Sequence, residues 1–349
     1  MECIASDIYD MMKLMCNEEV YTMNTVETIF SVLDTSCAVL KKELDITYLE
    51  ALVETGDNVF EGNVLQSNLP TSAIERLNRE YQKLSEEQYK GEEMRKAFQL
   101  CLLKGMKEGV QANHEMTPDA VGLFTGYLFH KFLKDKQHIT VLDPAVGTAN
   151  LLTTVFNTAP KGTTMQGYGV EVDELLLRLA FVNANLQRLG IEFFHQDGLG
   201  ALYIDPVDAV ICDLPVGYYP NELRAAQYQL CADTGLSYTH HLLIEQSIKH
   251  TKEGGYVFFL IPNFLFDSEQ AAKLHTFLKE HTYIQGLLQL PVSMFKNEKN
   301  AKSIFVLQKK GADAKAPKQA MLAELPSFSK VQAMESMVKQ IEEWFQQNK

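Results

Sequence analysis

Hydrophobic positions change their spacing near residue 110, and the change divides the chain. Before it they recur at helical intervals: Ile8, Met11, Met12 and Met15, then Phe30, Leu33, Cys37 and Leu40. Asn68-Leu69-Pro70-Thr71 interrupts the pattern, Thr71 to Glu75 starts a new helix, and Leu77, Tyr81 and Leu84 continue its apolar face. Stripes of this kind pack against one another, so their Met and aromatic members are expected in a core rather than on a ligand.

From about residue 139 short apolar runs alternate with helical segments, the pattern of a parallel sheet covered on both faces. The runs predict seven strands, at 139–143, 165–171, 191–195, 207–212, 256–261, 284–290 and 303–308, with helices at 149–157, 173–188, 238–251 and 268–280. Gly254-Gly255 is expected to stop a helix ahead of a strand. Lys309 to Lys318 reads as a solvated linker. Val331, Met334, Val338, Ile341 and Phe345 predict an amphipathic terminal helix that docks on the body or on a partner. The expected organisation is a helical unit over 1–110, a doubly wound, mostly parallel α/β domain of Rossmann-like type over 111–310, and a linker with a terminal helix over 311–349.

Composition narrows this picture. The chain is 46% hydrophobic and 22% charged, with a mean hydropathy of −0.14, as in ordinary soluble globular proteins. No apolar run approaches the roughly 20 residues that span a bilayer, so no membrane association is expected. The start, Met1 to Asp7, lacks the basic and apolar regions of a signal peptide, and a cytoplasmic location follows as the expectation. Six cysteines without a Cys-x-x-Cys pair point to reduced thiols in apolar surroundings, with neither a disulfide framework nor a zinc site. The net charge of −13 is unevenly spread: residues 1–100 hold 19 acidic against 9 basic side chains, and the remainder is nearly balanced. Phosphate neutralisation supplies most of the affinity of a protein that grips nucleic acid alone, so this composition argues against autonomous DNA binding.

The chemistry-bearing residues stand at predicted strand ends, where a doubly wound sheet binds its ligand. Asp143 ends the first strand and leads through Pro144-Ala145-Val146-Gly147-Thr148-Ala149 into a helix. Such a small-residue turn brings backbone N–H groups close to a nucleotide-like ligand. Glu171 ends the second strand, and an acid there suits the two hydroxyls of a ribose. Asp197, in Gln196-Asp197-Gly198-Leu199, follows the third and can accept from an adenine amino group. Asp213 ends the fourth. Four acids at four successive strand ends exceed what turns alone require, and they are expected to converge on one crevice.

From Asp143 to Leu152 the sequence Asp-Pro-Ala-Val-Gly-Thr-Ala-Asn-Leu-Leu resembles the S-adenosylmethionine motif of N6-adenine DNA methyltransferases, particularly the modification subunits of type I restriction systems. The similarity runs from Thr117-Pro118, through Ile261-Pro262-Asn263-Phe264-Leu265-Phe266 and Leu290-Pro291-Val292-Ser293-Met294-Phe295, to the strand Ser303 to Leu307. The resemblance implies S-adenosylmethionine as cofactor, with Asp143 and Gly147 near its methionine part, Glu171 on the ribose and Asp197 near the adenine. Thr117, Pro118, Pro144, Ala145, Ala149, Asn150, Leu151, Val172, Gly198 and Leu199 complete the implied cofactor side. It also implies a catalytic segment at Asp213-Leu214-Pro215-Val216, where Asp213 and the Leu214 carbonyl would accept from the target amine.

Both motifs depart from the family pattern. Ala149 stands where a second glycine is usual, and Leu214 and Val216 replace the second residue and the aromatic fourth residue of Asn/Asp/Ser-Pro-Pro-Tyr/Phe. Tyr218 or Tyr219 is a candidate to supply the missing stacking surface for an extruded base, and His240 a candidate substrate contact. His240 and His241 point about 100° apart on a helix, so no shared metal is expected. The preferred reading is an N-methyltransferase of the adenine-N6 DNA type. A separate partner subunit would read the target, because no long segment for that purpose follows residue 310; a homodimer is also compatible. The alternatives are an RNA, protein amide or small-molecule acceptor, and a regulatory protein that binds the cofactor without transferring methyl groups.

Overall fold

The computed structural model describes residues 20–84, 89–108 and 116–349. The stripe Ile8 to Met15 lies outside the described residues. The helical unit comprises α1 (Val20–Leu44), α2 (Tyr48–Glu61), α3 (Thr71–Tyr81) and α4 (Gly91–Glu108). A capping box starts α2: the Thr47 hydroxyl accepts from the Glu50 N–H at 3.2 Å, and the Glu50 carboxylate accepts from the Thr47 N–H at 2.8 Å. Leu33, Cys37 and Leu40 of α1 are buried, as their spacing predicts, against Leu49, Leu52, Leu77, Phe98 and Leu102. Leu176, Leu179 and Val182 join the same cluster from α7 (Glu174–Leu186), so the helical unit and the α/β unit share one core.

The α/β unit follows α5 (Asp119–Phe132). It contains β1 (His138–Asp143), α6 (Asn150–Asn157), β2 (Thr164–Glu171), α7, β3 (Ile191–His195), β4 (Val207–Asp213), the short α8 (Glu222–Ala225), α9 (Thr239–Lys249), β5 (Thr251–Pro262), α10 (Ala271–His281), β6 (Thr282–Gln289), β7 (Lys302–Lys309), β8 (Met321–Glu324) and α11 (Val331–Asn348). The strand order is β3-β2-β1-β4-β5-β7-β6-β8. The chain moves outward from β1 through β2 to β3, then returns to start β4 on the other side of β1. The order therefore reverses between β1 and β4, the place where such sheets bind ligands. Strand β7 alone runs against its neighbours β5 and β6.

Two findings depart from the sequence expectations. The sheet has eight strands rather than seven: Met321–Glu324 pairs in parallel with β6, with Gly286 opposite Met321 and Gln289 opposite Glu324. Four residues are too few to show a periodic pattern, and they follow a stretch whose composition reads as linker. Gly254-Gly255 lies inside β5 rather than between a helix and a strand. Val207 pairs with Thr251 while Ala209 pairs with Tyr256, so the glycines fall in a bulge, with Gly254 at a φ of 73°.

Side chains of the central strands alternate between two cores. In β4, Ala209 and Ile211 face the cluster beneath α5, α6 and α11, while Val210 and Cys212 face the one beneath α9 and α10. The terminal helix docks on the body of its own chain. Met334, Val338, Ile341 and Phe345 are buried, and the Phe345 ring meets Phe132 edge-on at 4.8 Å. Each such side chain contributes roughly 1.5–3 kcal/mol on burial. No helix among the described residues is long and apolar enough to cross a membrane.

Candidate active site

The turn after β1 is tightly tied. The Ala145 N–H donates to the Asp143 carboxylate at 3.1 Å, the Val146 N–H to the Val170 carbonyl at 2.9 Å, and the Gly147 N–H to Glu171 Oε2 at 2.8 Å. Gly147 and Ala149 both adopt left-handed backbone, at φ 56° and 60°. Glycine does this freely, whereas an L-residue with a Cβ loses about 1–2 kcal/mol. The departure at Ala149 therefore falls where the backbone itself favours glycine. No atom lies within 4 Å of where a Cβ on Gly147 would stand, so the turn faces open space there.

Glu171 stitches β2 to this turn, because its Oε1 also accepts from the Val172 and Asp173 N–H groups at 2.9 and 3.0 Å. Asp143 is only 2% exposed. Burial pushes its carboxyl up to about 7, the nearby Asp213 and Glu171 carboxylates add to the shift, and the Cys212 thiol donates to it. Cys212 is itself fully buried, and burial raises its thiol well above the usual range, which fits a packing role.

The exit from β3 is pressed against the same turn. A Cβ on Gly198 would stand 2.1 Å from the Pro144 carbonyl oxygen, so only glycine fits. This places Asp197 beside the Asp-Pro-Ala turn. Its Oδ1 accepts from the Leu199 N–H at 2.9 Å, and its Oδ2 accepts from Arg224 Nη1 at 2.7 Å and from the Tyr219 hydroxyl.

Asp213 ends β4 on the other side of β1. The Thr117 hydroxyl donates to its Oδ2 at 2.8 Å and the Lys302 ammonium to its Oδ1 at 2.5 Å. Leu214 is buried, with its N–H on the Leu260 carbonyl at 3.2 Å, while Pro215 and Val216 are exposed. Tyr218 is also exposed and stacks on Tyr238, with centroids 5.0 Å apart and planes at 19°. Tyr219 turns inward to Asp197. His240 is buried under Tyr238, edge-on to His241 at 4.9 Å, and burial pushes the two imidazoles down to about 3 and 4.

Asp143, Glu171 and Asp213 thus gather at one set of strand ends with the Asp197 loop, and Asp143 is as deeply buried there as Leu214, Tyr219 and His240. Pro118 caps α5, and Val172 is exposed at the end of β2. Leu151 and Leu199 are core residues, one on each face of the sheet. Asn150 opens α6 and donates to the Thr117 carbonyl at 3.0 Å. Lys302, Arg224, Tyr238 and Arg95 touch the candidate residues Asp213, Asp197, Tyr218 and Asn150, and no sequence motif marks them. Farther along the same rim of strand ends, Asn263, Phe266, Gln289, Ser303 and Glu324 line a cleft of about 520 Å³. No group of His, Cys, Asp and Glu among the described residues is arranged to hold a metal ion.

A mostly parallel sheet whose order reverses beside an Asp-Pro-Ala turn, with acids at consecutive strand ends, is the fold of the S-adenosylmethionine-dependent methyltransferases. A Listeria monocytogenes structure assigned to the class I S-adenosylmethionine-dependent methyltransferases superposes with a TM-score of 0.86 at 44% identity, over 92% of this chain and 99% of that one. The methyltransferase subunit of a type I restriction-modification system from Streptococcus thermophilus shares the fold at 15% identity and a TM-score of 0.62, over 89% of this chain and 73% of that one. Residues 72–349 match the N-6 DNA methylase family, and the chain belongs to it. Residues 27–106 match the YtxK N-terminal helical domain. The uncharacterized protein YtxK of Bacillus subtilis is 50% identical over 325 residues, 93% of this chain and 98% of that protein.

Proposed function

We propose that the chain is an S-adenosylmethionine-dependent N-methyltransferase of the adenine-N6 DNA type. The observation that carries this reading is Asp213: an acid at the end of β4, beside the strand-order reversal, held by Thr117 next to the Asp143–Glu171 turn. The donor and acceptor set suits the cofactor. Gly147 leaves open space over the turn, and Glu171 has accepted three N–H groups where a carboxylate offers about four lone-pair directions. In this reading Glu171 takes the ribose, Asp143 and Gly147 lie by the methionine part, and the Asp197 loop lies by the adenine. The helical unit buttresses the cofactor turn through Arg95 of α4, which donates to Asn150.

The cofactor, when bound, supplies an electrophilic methyl group. The residues must make a poor nucleophile attack it. An exocyclic aromatic amine delocalises its lone pair into the ring, and acceptors placed on its hydrogens draw it toward a tetrahedral shape. Asp213 supplies one acceptor and the Leu214 carbonyl the other, while Pro215 restricts the backbone of Leu214 to extended conformations. The stacking surface is provided by the exposed Tyr218, already braced by Tyr238. DNA as acceptor, target reading by a partner subunit and a cytoplasmic location belong to the same proposal.

The test is a methyl-label partition. Tritiated methyl from the cofactor, incubated with a lysate and the purified chain, should enter the DNA fraction and should fail to do so with Asp213→Ala. Label in RNA, protein or small molecules would redirect the acceptor. A second reading has its own support, since Lys302 sits on Asp213 and Val216 offers no ring. On it the chain binds the cofactor and regulates without transfer. Calorimetric binding of S-adenosylmethionine with no labelled fraction would favour that reading, and absence of binding would refute both.

A further inference from the structure

The Lys302 ammonium lies against the proposed amine acceptor, 2.5 Å from Asp213 Oδ1. The pair is neither free in solvent nor sealed, since the side chains are 22% and 18% exposed. Its geometry is fixed from both sides. Lys302 begins β7 opposite Pro262 of β5, and its carbonyl accepts from the Leu290 N–H at 3.1 Å. Thr117 holds the other carboxylate oxygen. An ammonium has three N–H groups and uses one here, and each carboxylate oxygen has two lone pairs and uses one. The rim therefore presents a donor directly beside an acceptor.

A lone alkylamine does not suit such a pair. It would be protonated at neutral pH and would meet the like charge of Lys302. An amine that is neutral and stands next to an in-plane lone-pair nitrogen suits it well: the amine donates to Asp213 while the ring nitrogen accepts from Lys302. Resting on the N-methyltransferase reading above, we infer that Lys302 is a specificity-determining residue, which recognises the ring nitrogen beside the target amine of an aminopurine. The same contact explains a cation next to a residue whose proposed role is to accept hydrogen bonds. Lys302 orients Asp213 between turnovers and reads the base edge when substrate is present.

The experiment uses the full chain first titrated with S-adenosylhomocysteine, so that the cofactor site is filled. Binding of 2′-deoxyadenosine and of its 1-deaza and 7-deaza analogues, which keep the amine and lose one ring nitrogen each, is then followed by ligand-observed NMR. Wild type should bind 2′-deoxyadenosine and weaken by roughly tenfold to a hundredfold for one of the two analogues, the worth of a hydrogen bond to a charged group. Lys302→Met should bind all three alike, and Lys302→Arg, which keeps a donor and a charge, should restore the discrimination. Circular dichroism checks that both variants are folded. Equal binding of the three nucleosides by wild type, binding of none, or discrimination that persists in Lys302→Met would each overturn the inference. The cofactor titration separates the two claims: a chain that takes no S-adenosylhomocysteine refutes the methyltransferase reading, and the nucleoside comparison on that same chain still decides the role of Lys302.

Discussion

The guanidinium of Arg95, in α4 of the helical unit, lies 3.2 Å from the side-chain oxygen of Asn150, the first residue after the Asp-Pro-Ala turn. From there polar contacts run through the Thr117 backbone carbonyl and hydroxyl to Asp213. Arg95 is fully buried and is balanced by Glu92 at 2.7 Å and Asp119 at 2.5 Å. A chain of four residues, Arg95, Asn150, Thr117 and Asp213, thus links the helical unit to the end of β4.

Removing that cation should destabilise the protein and disturb the site together. Arg95→Met takes the close cation from Asp119 and leaves Glu92 only Lys96 at 3.9 Å, a change expected to reduce stability by about 3 kcal/mol. Urea unfolding measures the loss. Asp119→Asn, which keeps the shape and removes one charge, should have a smaller effect.

Asp143 sets a pH dependence. Its carboxyl titrates near 7 in the folded chain, against about 3.9 when unfolded. A raised pKa means that its contribution to stability is complete below pH about 4 and is lost as the pH rises through 7. Ionisation over the same interval favours a positively charged ligand. Affinity for S-adenosylmethionine should therefore rise between pH about 6 and 8, and Asp143→Asn should flatten the calorimetric profile.

The two buried histidines act in the opposite direction. Three of their four ring nitrogens have no hydrogen-bond partner among the described residues. Their pKa values are depressed to about 3 and 4, so the stability they confer is complete above pH about 6.5 and falls as the pH drops toward those values. Each histidine should cost about 1.4 kcal/mol per pH unit in that window, more together than Asp143 returns. His240→Leu combined with His241→Leu should make denaturant midpoints less sensitive to acid.

Arg224 occupies the acid that the proposal places by the adenine. With Arg224 and Tyr219 on one oxygen of Asp197, a ligand amine must share or displace them. Arg224→Ala should tighten cofactor binding by about tenfold, one charge-assisted hydrogen bond. Weaker binding on calorimetry would show instead that Arg224 builds the pocket.

The parts of the site that were legible in sequence are those that one strand end can announce. Asp143, Glu171 and Asp213 each close an apolar run, and the run locates them without knowledge of partners. Lys302 announces nothing, because it opens an antiparallel strand and meets an acid 89 positions away. Arg224 lies in the four-residue α8, too short to show periodicity, and the inward turn of Tyr219 follows from its bond to Asp197. The same limit explains the fold. Long runs gave seven strands, while β8 exists through its pairing with β6 and the bulge at Gly254 through its register against β4.

The tail has a consequence for how the chain is made. Strand β8 extends the sheet beyond β6, and α11 packs beside α5 on the hydrophobic face shared with β5 and β7. A nascent chain cannot bury that face until α11 has left the ribosome tunnel. During synthesis the nearly finished α/β unit exposes both a bare strand edge and an oily surface, the two features that invite aggregation. Burial of that face therefore waits on β8 and α11, and chaperone dependence should fall sharply once they emerge.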